Sequence, residues 1–222
     1  MGIIERYRRP EDLPQRIPVF PLAGALLLPR ADLPLNIFEP RYLAMVDHAL
    51  STDRLIGMIQ PSAGDETGDV PSLMKVGCVG RITSWSETPD DRMMITLTGV
   101  SRFQIVDEFA VDTPFRQVIA NYHPFAADLA TEAGAAEVNR PALLKVFRDY
   151  LDANNMSADW KEVDTAPTEM LVNTLSLLAP YPPQEKQALL EAPDLKTRAD
   201  VLVALTEVAL SKMGKGAKPR LQ

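Results

Sequence analysis

At 222 residues the chain can form one large domain or two small ones. Hydrophobic residues make up 46%, enough for a well-buried core, and the charged fraction of 24% is ordinary for a globular protein. A net charge of −7 argues against nucleic-acid binding driven by bulk charge. The basic residues near the ends (Arg6, Arg8, Arg9 and Arg16, then Lys212, Lys215, Lys218 and Arg220) read as solvated termini. Cys78 is the single cysteine, so no intrachain disulfide can form, which fits a reducing cytoplasm. The amino terminus lacks an apolar signal core, and no apolar run approaches the roughly 20 residues of a membrane helix. A soluble, cytoplasmic protein without membrane partners is expected.

Residues 1–16 read as an irregular arm. The stretch 16–50, RIPVFPLAGALLLPRADLPLNIFEPRYLAMVDHAL, then carries three short apolar segments predicted as strands. Val19, Phe20 and Leu22 lie among Pro18 and Pro21; Leu26, Leu27 and Leu28 run into Pro29; Leu33, Leu35, Ile37 and Phe38 alternate around Pro34 and Asn36. Proline removes a ladder donor, so these strands must keep their prolines at ends, edges or bulges. Pro40 suits the first turn of a helix, and Glu39 beside it complements the helix dipole. Leu43, Val46 and Leu50 follow at helical spacing.

Further strands are predicted at 54–60 (RLIGMIQ), 75–85 (KVGCVGRITSW), 93–98 (MMITLT), 101–107 (SRFQIVD) and 116–122 (RQVIANY). The acidic, Gly- and Pro-rich segment 61–72 reads as a mobile loop, and residues 89–92 as a turn. Gly77 and Gly80 suggest bulges or close backbone approach, and Phe103 and Ile105 share a strand face. Short strands with tight turns and no helical crossovers suggest an antiparallel, partly closed barrel.

The composition changes near residue 125. Residues 125–137 are alanine-rich with little periodicity, and everything beyond reads helical. Pro141 opens a helix with Leu144, Phe147 and Leu151 on one stripe. Pro167 opens another with Leu171, Leu175 and Leu178. QEKQALLEA follows Pro183. Asp194 is an N-cap candidate for a last helix burying Val201, Leu202, Leu205, Val208 and Ala209. A small helical bundle is the expected second unit. The predicted organisation is thus a β-rich part over 1–124, a helical bundle over 125–213 and a disordered basic tail over 214–222.

Little in the chain points to catalysis. Cys78, His48 and His123 are scattered over three elements, unlike the short-spaced pairs of a closed zinc site. Cys78 between Val76 and Val79 reads as a small buried thiol. There is no P-loop and no Gly-rich dinucleotide motif. Arg41 has two readings, a carboxylate or carbonyl holder at a groove rim and a brace pairing with Glu39 or Glu87. Phe20, Leu35, Ile37 and Phe38 divide between the core and the lining of an apolar groove.

VFPLAGALLLPRADLPLNIFEPRYLAMV resembles the opening signature of the Lon protease amino-terminal domain family. VGCVGRITSW with PDDRMMITLTGVSRFQIVDE is similar to that family's mid-domain strands, which end in Gly-x-x-Arg-Phe, here Gly99, Arg102 and Phe103. LVNTLSLLAPYPPQEKQALLEAPDLKTRADVL resembles its carboxy-terminal bundle. The resemblance covers about residues 16–210. It implies an α+β fold, a PUA-like (pseudouridine-synthase-and-archaeosine-transglycosylase type) β-barrel packed on a helical bundle. It also implies a stand-alone, non-catalytic, cofactor-free module, since neither the family's ATPase P-loop nor its Ser–Lys protease is present. The expected function is recognition of unfolded or degron-bearing polypeptides, as adaptor or regulator of an ATP-dependent protease. The candidate contacts are Phe20, Leu35, Ile37, Phe38 and Arg41. The alternatives are a PUA-like nucleic-acid binder, which the acidic balance disfavours, and a small-molecule sensor.

Overall fold

The computed structural model describes residues 6–62, 71–110 and 112–216, with side chains as far as Met213. The strands are β1 (Arg16–Pro21), β2 (Asp32–Ile37), β3 (Leu55–Ile59), β4 (Val76–Glu87), β5 (Met93–Glu108) and β6 (Arg116–Asn121). The helices are α1 (Pro40–Ser51), α2 (Arg140–Ala153), α3 (Trp160–Thr165), α4 (Thr168–Leu178), α5 (Pro183–Glu191) and α6 (Leu195–Gly216). The expected α+β class is observed.

The sheet order is β2-β5-β4-β3-β1-β6, and β5 also pairs with β6. The pairings β5–β4–β3–β1–β6–β5 therefore form a ring, with β2 as an outer strand. The 16-residue β5 makes both joins, carrying β2 along residues 93–98 and β6 along residues 104–108. It runs straight through Gly99, where the sequence suggests two strands. The sheet is also not wholly antiparallel, because β1 and β3 pair in parallel. Parallel neighbours need a long crossover, and here it runs through β2 and α1.

Inside the ring, Ile17, Val19, Val79, Val100 and Val118 surround Phe103, all of them fully buried. Gly77 provides space for that ring, since a Cβ there would lie 2.6 Å from Phe103 Cζ and from the Met58 carbonyl oxygen. A bulge falls between Val79 and Gly80. The outer face of the ring carries a second core, in which Phe20, Ile37, Met45, Ile56 and Leu97 join Leu143, Val172, Leu189 and Leu202 from the helices. This core spans barrel and bundle.

Leu26, Leu27 and Leu28 are buried in it but form no strand, contrary to expectation. They cross the sheet edge as a loop pinned by Gly99, whose N–H donates to Ala31 and whose carbonyl accepts from Arg30. Several helical stripes are phased differently from the prediction. Leu151 is buried in α2 as expected, but its buried companions are Leu143 and Val146, while Leu144 and Phe147 are only half-buried. Leu178 is 75% exposed and Val208 49% exposed, although both were expected on buried faces. α3 was not anticipated; Asp159 caps it by accepting from the Lys161 and Glu162 N–H groups. α6 extends through residues 214–216, where the tail was expected to begin. The rest of that tail, residues 63–70 of the loop predicted over 61–72 and the first residues of the arm lie outside the described residues.

A buried polar network joins barrel to bundle. Arg102, 2% exposed, donates through Nε and Nη2 to the two Asp128 carboxylate oxygens, each at 2.8 Å. Its Nη1 donates to the carbonyls of Leu190, at 3.0 Å, and Ala192, at the end of α5. Arg198 donates to the Leu189 carbonyl and to Asn173 Oδ1, both at 3.0 Å, and burial pulls its pKa down to about 10. Asn173 in turn donates to the Pro29 carbonyl at 2.9 Å. Arg30 forms a forked pair with Glu169 and reaches the Asp128 carbonyl at 2.7 Å.

Candidate functional site

The five candidates taken from the sequence separate into core and surface. Phe20, Leu35 and Ile37 are buried in the shared core, with the Phe20 ring centroid 4.2 Å from that of Tyr42. They are unavailable to a ligand in this conformation. Phe38 is 59% exposed, and the Arg92 guanidinium lies 5.6 Å from its ring centroid. Arg41 is exposed, pairs with Glu39 at 2.8 Å and lies over the Tyr42 ring at 4.6 Å. That is the bracing geometry.

β2 is the outer edge of the sheet, where an added strand would have to pair. The Ala31 carbonyl points toward β5, where it accepts from Gly99. Backbone groups alternate along a strand, so residues 32, 34 and 36 present theirs to the open side. Pro34 stands in the middle of that row and has no N–H to offer, which weakens the edge as a docking strand. Trp85 and Met94, both partly exposed, lie on opposite faces of the β4–β5 ribbon, because Trp85 pairs with Ile95 and Met94 with Ser86.

The larger apolar surface is in the bundle. A cleft of about 450 Å³ opens between α2, α4 and α6. From α2 it is lined by Leu143, Val146, Phe147, Tyr150 and Leu151. That i, i+3, i+4, i+7, i+8 stripe is the apolar face of an amphipathic helix. Leu175 and Leu178 line the α4 side, and Leu202 and Thr206 come from α6. Leu143 and Leu202 are buried in the floor, while Leu178 and Met156, 56% exposed, form the rim. Tyr181 closes one side, its hydroxyl 2.7 Å from Thr206 Oγ1. Among the described residues, no charged side chain lines the cleft. Its size falls within the usual range for a binding site, and its chemistry suits apolar groups.

The cleft escaped the sequence reading, although its signal was present. Leu171, Leu175 and Leu178 continue a stripe that suggests burial along its whole length, but no described element covers its last turn.

Other reactive groups offer no centre. Cys78 is buried, and burial raises its thiol well above the ordinary range. His48 and His123 lie apart, the first against Phe115 and the second 3.8 Å from Glu11. Among the described residues, no group of three or more His, Cys, Asp or Glu side chains is placed to hold a metal ion. None of the described helices is long and apolar enough to cross a membrane.

Comparison with known proteins agrees with the fold. The chain is similar to the crystal structure of a Lon N-terminal domain protein from Xanthomonas campestris, with a TM-score of 0.59 and 22% identity over 85% of this chain and 97% of the other. The N-terminal domain of a Mycobacterium avium complex Lon protease gives 0.64 and 18%, over 86% and 98%. Among curated sequences, Lon protease 2 of Myxococcus xanthus is 27% identical over 207 residues, and a Lon protease of Roseiflexus castenholzii 25% over 202. Those alignments take in 88% and 89% of this chain but only 24% and 25% of the relatives, so the chain spans about a quarter of their length. The family model for the substrate-binding domain of ATP-dependent protease La (LON) matches residues 16–207, and the chain belongs to that family.

Proposed function

We propose that this chain captures polypeptide segments that expose apolar side chains, and that the α2–α4–α6 cleft holds them. The observation carrying this reading is the cleft itself, lined mainly by apolar side chains, with Leu178 and Met156 exposed at its rim. Membership of a substrate-binding family supports the same reading. Through that family we assign the protein a role in selecting clients for ATP-dependent proteolysis, as adaptor or regulator.

Burying one bulky apolar side chain yields about 1.5–3 kcal/mol. Association costs consume much of that, so a single site binds weakly and gains from several apolar segments on one client. Unfolded chains supply such segments and folded proteins hide them.

The test is fluorescence anisotropy with a labelled, permanently unfolded polypeptide. Saturable binding that persists at moderate salt is expected. Leu178→Asp combined with Met156→Ser should weaken it roughly tenfold, about 1.4 kcal/mol, at unchanged melting temperature. Phe38→Asp is the matched surface control and reports on the corner holding Phe38 and Arg41. Equal binding by wild type and the cleft variant would remove the cleft from the reading, and no binding by wild type would remove capture altogether.

A further inference from the structure

A second cavity, of about 430 Å³, opens where the start of β1, the last turn of α1 and β6 meet. It differs in character from the cleft. Its floor is apolar, formed by the buried Ile17 and Leu55, but Arg16, His48 and Asp53 line it above.

Arg16 is held in place. Its Nε donates to Gln117 Oε1 at 2.7 Å, and its guanidinium lies 5.0 Å from the Phe109 ring centroid. Gln117 is itself buried and donates to Thr113 Oγ1 at 3.1 Å. These contacts use Nε and the ring-facing surface of the guanidinium. The two Nη groups have no acceptor among the described residues. The His48 ring is set by Phe115, at 5.4 Å between centroids, and its nitrogens have no partner among the described residues. Asp53 uses its carbonyl to hold Arg81 at 2.7 Å, while its carboxylate forms no ion pair with Arg16 or His48.

A guanidinium oriented through Nε presents its Nη pair as a planar fork, the geometry that matches a carboxylate. An imidazole in the same cavity adds a further donor. Asp53 disfavours a bare anion and favours one with a nitrogen-bound hydrogen close by. We infer that this cavity binds an α-carboxylate with its neighbouring amide N–H or ammonium, the chemistry shared by a polypeptide's carboxy-terminal end and a free amino acid. The inference does not depend on the apolar cleft.

The chain has only two histidines, His48 and His123, so their ring resonances report the site directly by NMR. The probes are acetyl-tri-alanine with a free carboxylate, the same peptide as its carboxy-terminal amide, and free alanine. The free-acid peptide or alanine should shift the His48 signal saturably while His123 stays still, and the amide should not. Stronger response to the peptide identifies a chain-end site, and stronger response to alanine an amino-acid site. Arg16→Gln should weaken the response roughly tenfold, while Leu178→Asp leaves it unchanged. A His48 signal that neither acid moves, that the amide moves equally, or that Arg16→Gln does not affect would overturn the assignment.

Discussion

Replacing Arg102 by methionine tests the join between barrel and bundle. The side chain is buried and makes hydrogen bonds to both Asp128 oxygens and to carbonyls at the end of α5. Methionine fills much of the volume but leaves the Asp128 carboxylate buried with only the residue-102 N–H, at 2.9 Å, from this partner. The carbonyls of Leu190, Ala192 and Pro193 lose a donor as well. Breaking a buried pair on one side costs about 3–5 kcal/mol, against a total stability of about 5–15 kcal/mol. At about 2–4 °C per kcal/mol for a chain of this size, the melting temperature should fall by about 6–20 °C. Urea unfolding of wild type, Arg102→Met, Asp128→Leu and the double variant completes the cycle. The double variant removes both charges, so it should be more stable than the sum of the single losses by about 1–3 kcal/mol. A single-variant loss below about 1 kcal/mol, or additivity within about 0.5 kcal/mol, would refute the structural role given to this pair.

Gly99→Ala should cost about 1–3 kcal/mol in urea unfolding, because its Cβ would lie 2.0 Å from the Leu28 carbonyl oxygen, a backbone atom. A neutral result would mean that the Leu26–Leu28 loop does not lie against β5. Cys78 should resist thiol reagents in the native protein and react only as the chain unfolds, since burial raises its pKa and keeps the thiolate scarce. Rapid labelling in native buffer would contradict that burial. Asp194→Ala should cost about 1 kcal/mol by removing the cap on the Thr197 N–H, at 2.7 Å. That backbone bond is the main cause holding the Asp194 carboxyl below its usual value. The cap's contribution is therefore full above the unfolded-chain value and is lost as pH falls through the lower folded one. The gap in melting temperature between wild type and Asp194→Ala should narrow between about pH 5 and pH 3. A constant gap would assign the effect to something other than the charged cap.

Elements that carry their own local signal were legible in the sequence. Met93, Ile95 and Leu97 alternate with Met94, Thr96 and Thr98, and β5 buries the first set more deeply. Pro40 marks the start of α1 as predicted, and Asp194 accepts from the Thr197 N–H at the start of α6. Partners distant in sequence were not legible. Arg102 follows Ser101 and precedes Phe103, an odd place for a charge in an apolar strand. Its carboxylate partner is 26 residues away, and its carbonyl acceptors in and just after the last turn of α5, Leu190 and Ala192, are 88 and 90 residues away. Leu26–Leu28 failed for a related reason, since apolar runs report burial without specifying strand or loop. Phe20, Leu35 and Ile37 stood out as apolar residues in the opening stretch, and their burial in the shared core takes them out of any groove.

The same network explains why the cleft lies at one end of α4. The first turns of that helix are tied to the barrel through Arg30 and Glu169, and through Asn173 and the Pro29 carbonyl. Glu132 accepts from the N–H groups of Thr168 and Glu169, satisfying donors that Pro167, in the N-cap position, cannot. The carboxy-terminal turn has no such ties, and Pro180 follows it. α2 and α6 pack on each other beside it, and Leu175 and Leu178 line the cleft together with Phe147 and Tyr150. A helix anchored at one end and ending early at the other can keep an apolar rim in water without loosening the core. That is the condition a capture surface must meet, since its apolar groups have to stay exposed while the fold holds.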